Sequence, residues 1–234
     1  MKNKESYSAV IFDMDGVVID TRKPIEAFWY KIADEYNIVI TTEIMERQIH
    51  GCPARQTIYT LLPDLSAKQK EELFERCEHF ETTMDYVAMA GIKELFASLK
   101  EYLIPVALVT SSLPPKVANV IKKLALEEVF DTIVTSDLVE KGKPDPACYI
   151  LAARKLNANP ENCIVFEDAV SGVRASTGAG MFTVGVGGSY QSSMLRQAGA
   201  SEVIANFEKV QVTQSGVEIL LQISPALSLH VIAG

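Results

Sequence analysis

The chain has no paired cysteines, no excess of positive charge and no long apolar run, and each absence removes a class of protein. Its four cysteines, Cys52, Cys77, Cys148 and Cys163, stand far apart with no CxxC spacing. Zinc knuckles and disulfide scaffolds are therefore not expected, and the thiols read as reduced and at least half-buried. Lysine and arginine number 22 against 30 acidic residues, a net charge of −8. Nucleic acid and anionic membrane both need a basic surface, so neither is an expected partner. A small phosphorylated metabolite stays open, because a few local cations and a metal can reverse the sign inside one cleft.

Lys2 and Lys4 open the chain, but Asp13 and Asp15 interrupt the apolar run that follows them. That pattern is not a signal sequence, and the cytoplasm is the expected compartment. Ile219 to Gly234 contains no Asp, Glu, Lys or Arg. It is nevertheless shorter than the ~20 apolar residues of a spanning helix, and it carries Gln222, Pro225 and His230. Packing on the domain surface or against a partner subunit is expected, with the protein a monomer or weak homodimer. There is no internal repeat and no low-complexity linker. Apolar content of 48% with 22% charged residues is globular. The 234 residues suffice for one domain with a smaller insertion.

What is present begins with Val10-Ile11-Phe12-Asp13-Met14-Asp15-Gly16. A short apolar run reads as a buried strand, and it ends in two carboxylates one residue apart. Carboxylates cannot prolong an apolar core unless a cation or hydrogen-bond donors meet them. The motif thus points to a divalent cation, a phosphoryl group or both, although alone it also describes an acidic turn closing a strand.

Further apolar runs follow at Val106–Thr110, Thr132–Thr135, Cys163–Phe166 and Phe182–Gly185. Helical patterns separate them: a helix carrying Val117, Val120, Ile121 and Leu124 after Pro114-Pro115, one from Pro146 to Leu156, and one from Val170 to Thr177 with Gly178 placed to end it. Alternation of this kind predicts a parallel sheet with helices on both faces, which binds ligands beyond the carboxyl ends of its strands. Asp13, Thr110 and Glu167-Asp168 all fall at such ends. Between about Thr21 and Met89 the alternation stops and the pattern is helical, with an apolar stripe of Leu73, Phe74, Cys77, Phe80 and Met84. Ser66 and Gln69 form a capping-box start. The expected division is a core of residues 1–20 and 90–234 with a helical cap domain of residues 21–89 placed over the site.

Four separated elements now stand in order: Asp13-Met14-Asp15-Gly16, the strand ending Thr110-Ser111-Ser112, Gly142-Lys143-Pro144-Asp145-Pro146, and the strand ending Phe166-Glu167-Asp168. Together they resemble the haloacid dehalogenase superfamily, in its branch of helical-cap phosphatases and β-phosphoglucomutases, from Ala9 to about Val210. The resemblance implies an α/β, Rossmann-like parallel sheet with helices on both faces and a small inserted helical cap. It implies that Asp13 is the nucleophile, forming an aspartyl-phosphate, and Asp15 the general acid and then the base. It implies Mg²⁺ held by Asp13, the Asp15 carbonyl and Asp168, with Glu167 a ligand or a supporting partner. Thr110 and the Ser111 amide would bind the transferring phosphoryl oxygens, and Lys143, rather than nearby Lys141, would supply positive charge. Taken singly, Thr110 reads rather as a hydroxyl satisfying a strand end and Lys143 as a solvated surface lysine; the set as a whole favours the functional readings.

His50-Gly51-Cys52-Pro53-Ala54-Arg55 resembles the cap loop of sugar-phosphate and polyol-phosphate phosphatases. Arg55 would contact substrate hydroxyls or a distal phosphate and His50 the leaving group's surroundings; the plainer reading is that Arg55 pairs on a helix surface and His50 packs. His79 and His230 carry no signal. Asp15 argues against a dehalogenase, which lacks that second acid, and Gln48 to Arg55 holds no lysine for phosphonate cleavage. The expected activity is a Mg²⁺-dependent phosphomonoesterase for a sugar or polyol phosphate. The alternative is β-phosphoglucomutase, interconverting β-glucose 1-phosphate and glucose 6-phosphate. Trp29 keeps a mutase-like aromatic, whereas Ile25 stands where mutases carry histidine and His50 where they carry lysine. A receiver-type phospho-acceptor module is a third possibility, opposed by Asp15, by the helical insertion and by the length.

Overall fold

The candidate site residues stand at strand ends, and the order of the strands across one sheet sets which of them meet. The computed structural model describes residues 6–50, 52–215, 218–225 and 227–232. In chain order the elements are β1 (Ser6–Tyr7), β2 (Ala9–Phe12), α1 (Arg22–Tyr36), α2 (Thr42–Ile44), α3 (Ala54–Leu61), α4 (Ala67–Thr83) and α5 (Ile92–Glu101). They continue as β3 (Val106–Val109), α6 (Pro114–Leu124), β4 (Thr132–Val134), α7 (Ala147–Lys155), β5 (Cys163–Glu167), α8 (Val170–Gly178), β6 (Phe182–Val186) and α9 (Ser189–Ala198). The last are β7 (Glu202–Ile204), β8 (Gln211–Ser215), β9 (Glu218–Ser224) and β10 (Leu227–Val231).

Six strands form one sheet in the order β4-β3-β2-β5-β6-β7, with every pairing parallel. All residues of β2, β3 and β5 are buried, which is why they read as unbroken apolar runs: a parallel sheet is covered on both faces. Alternate side chains serve opposite layers. Val10, Phe12, Val106, Leu108, Ile164 and Phe166 join Leu95, Phe96, Val117 and Val120 of α5 and α6. Ala9, Ile11, Ala107, Val109, Cys163 and Val165 join Cys148, Tyr149 and Ala152 of α7. Phe12 stacks on Phe166 at 5.1 Å and meets Phe96 edge-on at the same distance. Truncating one such buried ring to alanine would cost about 3–5 kcal/mol.

Helices α1, α3 and α4 and the π-helical turn Met45–Ile49 gather around a separate cluster that includes Trp29, Ile32, Met45, Ile58, Leu73 and Cys77. Ser66 opens α4 with the full capping box to Gln69. Two local expectations shift. Gly178 is the last residue of α8, and Gly180, at φ 81°, takes the left-handed turn that follows. The uncharged C-terminus forms strands: β9 and β10 pair antiparallel with each other, β8 joins β9, and β10 lies parallel to β1. Leu221, Ile223, Leu229 and Val231 pack with Tyr7 into the layer that holds Phe12. So the described part of Ile219 to Gly234 covers its own domain. Lys2, Lys4, Gly51 and Gly234 lie outside the described residues. No helix among the described residues is long and apolar enough to cross a membrane.

Candidate active site

Because β2 lies between β3 and β5, the residue after its end sits between theirs. The Asp13 amide donates to the Phe166 carbonyl at 3.0 Å, prolonging the pairing by one residue. This brings Asp13 between Thr110 on one side and Glu167-Asp168 on the other. Asp13, Glu167 and Asp168 each bring a carboxylate oxygen within 4.8 Å of one another, all three residues buried. Two glycines make the approach possible. A Cβ on Gly16, at φ 77°, would lie 2.2 Å from an Asp168 oxygen, and one on Gly172 would lie 1.6 Å from Glu167 Oε1.

Lys143 is no surface lysine. It is 8% exposed, and its Nζ donates to Asp13 at 2.5 Å and to Glu167 at 2.6 Å. The loop before α7 carries it, and Tyr149 of α7 places its ring 5.2 Å beneath the ammonium. The Tyr149 hydroxyl and the Ala169 amide also donate to Glu167, at 2.8 and 3.1 Å. Both Glu167 oxygens are thereby engaged, so this carboxylate braces Lys143. Burial works against the Lys143 charge, but Asp13 and Glu167 outweigh it and hold the ammonium protonated well above the ordinary range.

Arg22, the first residue of α1, donates to Asp168 at 2.8 Å and to Glu46 at 2.5 Å. It thereby fastens the helical block to the sheet. Even so, the cluster holds more negative charge than its two cations offset. Burial first, resisted by Lys143 and reinforced by Glu167 and Asp168, pushes the Asp13 carboxyl well above the carboxylate range. Burial likewise pushes Asp168 up to about 7 despite Arg22. Three hard oxygen donors with a deficit of positive charge suit a divalent cation.

Asp15 faces a different set of partners. Its carboxylate accepts from Lys116 at 2.8 Å on both oxygens and from Ser112 Oγ at 3.1 Å. Thr110, 4% exposed, continues the ladder through its amide to Val134, and its hydroxyl accepts from the Ser112 amide at 3.0 Å. Asp13, Asp15, Thr110, Ser111 and Lys116 open on one cavity of about 310 Å³. Its opposite wall comes from the helical block, including Ile25, Trp29, Ile49, Phe74 and Arg55.

The two cap-loop residues separate. Arg55 lines the cavity, but its guanidinium makes a bidentate pair with Glu71, 2.8 Å on each arm, and lies over the Phe74 ring. His50 is buried beneath, bonded to Glu26 at 3.2 Å, and does not line the cavity. Sequence reasoning missed Arg22, Glu81, Lys116 and Tyr149. No local signal marked them: Lys116 sits in the first turn of the helix that follows the Thr110 strand, where a lysine is unremarkable.

The model of the haloacid dehalogenase-like hydrolase family matches residues 10–186. The chain is 36% identical over 177 residues to a phosphorylated carbohydrates phosphatase of Thermotoga maritima, covering 74% of this chain and 82% of that protein. It is 32% identical over 190 residues to a β-phosphoglucomutase of Bacillus subtilis, with 76% and 83% covered. Among solved structures, a β-phosphoglucomutase from Clostridium difficile superposes with a TM-score of 0.74 at 28% identity, covering 88% of this chain and 93% of that one.

Proposed function

The chain belongs to the haloacid dehalogenase-like hydrolases as an enzyme of the phosphatase type, and on that premise we propose that it is a Mg²⁺-dependent phosphomonoesterase for a sugar or polyol phosphate. The observation that carries this reading is the separation of Asp13 from Asp15. Two acids one residue apart open on the same cavity, yet one belongs to the Lys143 cluster and the other to Lys116 and Ser112. Distinct partners give two like groups distinct work.

Asp13 attacks phosphorus; the bond to the ester oxygen breaks, and that oxygen takes its proton from Asp15. Water then attacks the aspartyl-phosphate while Asp15, ionised by the first step, accepts the water's proton, which releases phosphate, frees the Asp13 carboxylate and returns Asp15 to the protonated form in which it began the cycle. Thr110 and Ser111 orient the phosphoryl oxygens, and Lys143 offsets their charge. Mg²⁺ would be held by Asp13, the Asp15 carbonyl and Asp168, with Glu167 in support; when bound, it offsets the charge of the phosphoryl group and of the acids around it. Residues 21–89 act as a cap that closes the cavity over the substrate, and residues 1–20 and 90–234 form the catalytic core. The sugar or polyol reading draws on relatives named for phosphorylated carbohydrates and hexitols. Ile25 in the cavity wall, where mutases place a histidine, favours water as the acceptor.

Phosphate release over a panel of sugar and polyol phosphates, with glucose 6-phosphate formation from β-glucose 1-phosphate followed in parallel, tests the reading. EDTA should abolish turnover, and Asp13→Asn should lower it by at least about 10³-fold while the protein still unfolds cooperatively. Full activity without metal would sink the mechanism. Isomerisation without phosphate release would replace hydrolysis by the mutase reaction.

A further inference from the structure

Lys116 has no part in the steps just described, yet it is a buried cation at the mouth of the site. It is 4% exposed. Besides both Asp15 oxygens, its Nζ lies 3.2 Å from Oε2 of Glu81. Glu81 belongs to α4, in the helical block, whereas Lys116 and Asp15 belong to the sheet side. The Tyr86 hydroxyl donates to the Glu81 carbonyl and steadies that end of α4. One ammonium thus joins the acid of the core to the block that roofs it.

A side chain that transfers a proton must sit within hydrogen-bond reach of its target oxygen, about 2.6–3.2 Å. An aspartate on the loop after a strand has two rotatable bonds with which to leave that position. Lys116 grips both carboxylate oxygens and Ser112 holds one of them a second time. Burying an ammonium is unfavourable unless anionic partners surround it, and here those partners are the two acids it connects. We propose that Lys116 is a positioning residue for Asp15: it fixes the carboxylate in the cavity wall, and through Glu81 it makes that alignment depend on the seated helical block. The inference rests on the phosphomonoesterase reading, in which Asp15 is the general acid.

A merely structural ion pair would, when broken, slow every substrate alike. A positioning role predicts dependence on the leaving group, since an alkoxide must be protonated as it departs and p-nitrophenolate need not be. The test compares kcat/KM, which reports the first phosphoryl transfer, for the best alkyl phosphate of the panel and for p-nitrophenyl phosphate, both with Mg²⁺. Lys116→Met should lose about 10- to 100-fold on the alkyl ester and less than about threefold on the aryl ester. Glu81→Gln keeps both Lys116 and Asp15 in the chain and removes only the charge that ties Lys116 to the helical block, so it disturbs folding less and should show the same contrast at smaller amplitude. Equal losses on both esters, or no loss on either, overturn the assignment of Lys116 alone. Absence of phosphate release from every ester by the unmodified protein overturns the phosphatase reading and this inference with it.

Discussion

The two walls of the cavity are built on opposite principles. On the sheet side, Asp13, Glu167, Asp168 and Lys143 are buried and hold one another at 2.5 to 2.8 Å through Lys143, Tyr149 and Arg22. On the helical side, Trp29, Ile49 and Phe74 present mostly apolar surface, and the one arginine at the rim is half exposed and paired with an equally exposed glutamate. Charge in the first wall is expensive to disturb because water cannot replace a lost partner. In the second wall water can. The proposed reaction falls on the buried, ion-paired side, and the helical side is left to shape what enters.

The largest expected break in that contrast is Lys143→Met. It strips the shared cation from two buried carboxylates, and removing one partner of a buried ion pair costs about 3–5 kcal/mol. Urea unfolding should show that loss, and phosphate release should collapse with it. A loss below about 1 kcal/mol would mean that the sheet-side wall is as forgiving as the helical one.

The sheet-side wall was also the legible one. Asp13, Thr110 and Asp168 each follow a short apolar run, so local pattern alone put them at strand ends, and the parallel order then brought the ends together. Lys116 and Arg22 were invisible for the opposite reason. The contact of Lys116 with Asp15 spans 101 residues and that of Arg22 with Asp168 spans 146. Their meaning depends on how the helical block sits on the sheet, which no local window contains. Lys116 reads as one more lysine on an amphipathic helix, and Arg22 as a solvated helix start. The C-terminal strands escaped similarly: a run without charge tells of burial, but the pairing of β10 with β1 is fixed by a segment more than two hundred residues earlier. Arg55 was placed near the cavity by its loop motif, yet the Glu71 that engages it lies on another helix.

A smaller effect is expected at His50, inside the helical block. Burial first, then Arg22, disfavours the imidazolium, while Glu46 and Glu26 favour it, and the balance lowers its pKa below the ordinary value. The unfolded chain therefore takes up this proton before the folded one as the pH drops. The stability associated with neutral His50 is complete above about pH 6.5 and is lost as the pH falls through the lower, folded value. Unfolding free energies of the unmodified protein and of His50→Gln, measured between pH 8 and 5, should diverge on the acid side, with the variant less pH-dependent. Parallel curves would show that His50 adds nothing to the pH dependence of stability.

The smallest expected effect sharpens the comparison most, because it asks whether the exposed rim of the helical wall contributes charge to the reaction. Arg55 and Glu71 are each about half exposed, at 50% and 52% of their side chains. An ion pair so open to water and salt adds little stability, so Arg55→Ala should shift Tm by less than about 2 °C. Its guanidinium already has a carboxylate on both arms and the Phe74 ring beneath it. A second phosphate on the substrate would have to displace Glu71 to reach it. Arg55→Ala should therefore leave kcat for a simple alkyl phosphate within about twofold and move mainly KM, as expected for binding shared by ground state and transition state. A hundredfold fall in kcat would mean that Arg55 leaves Glu71 to join the reacting phosphoryl group, and the division of labour between the two walls would fail at its weakest-looking residue.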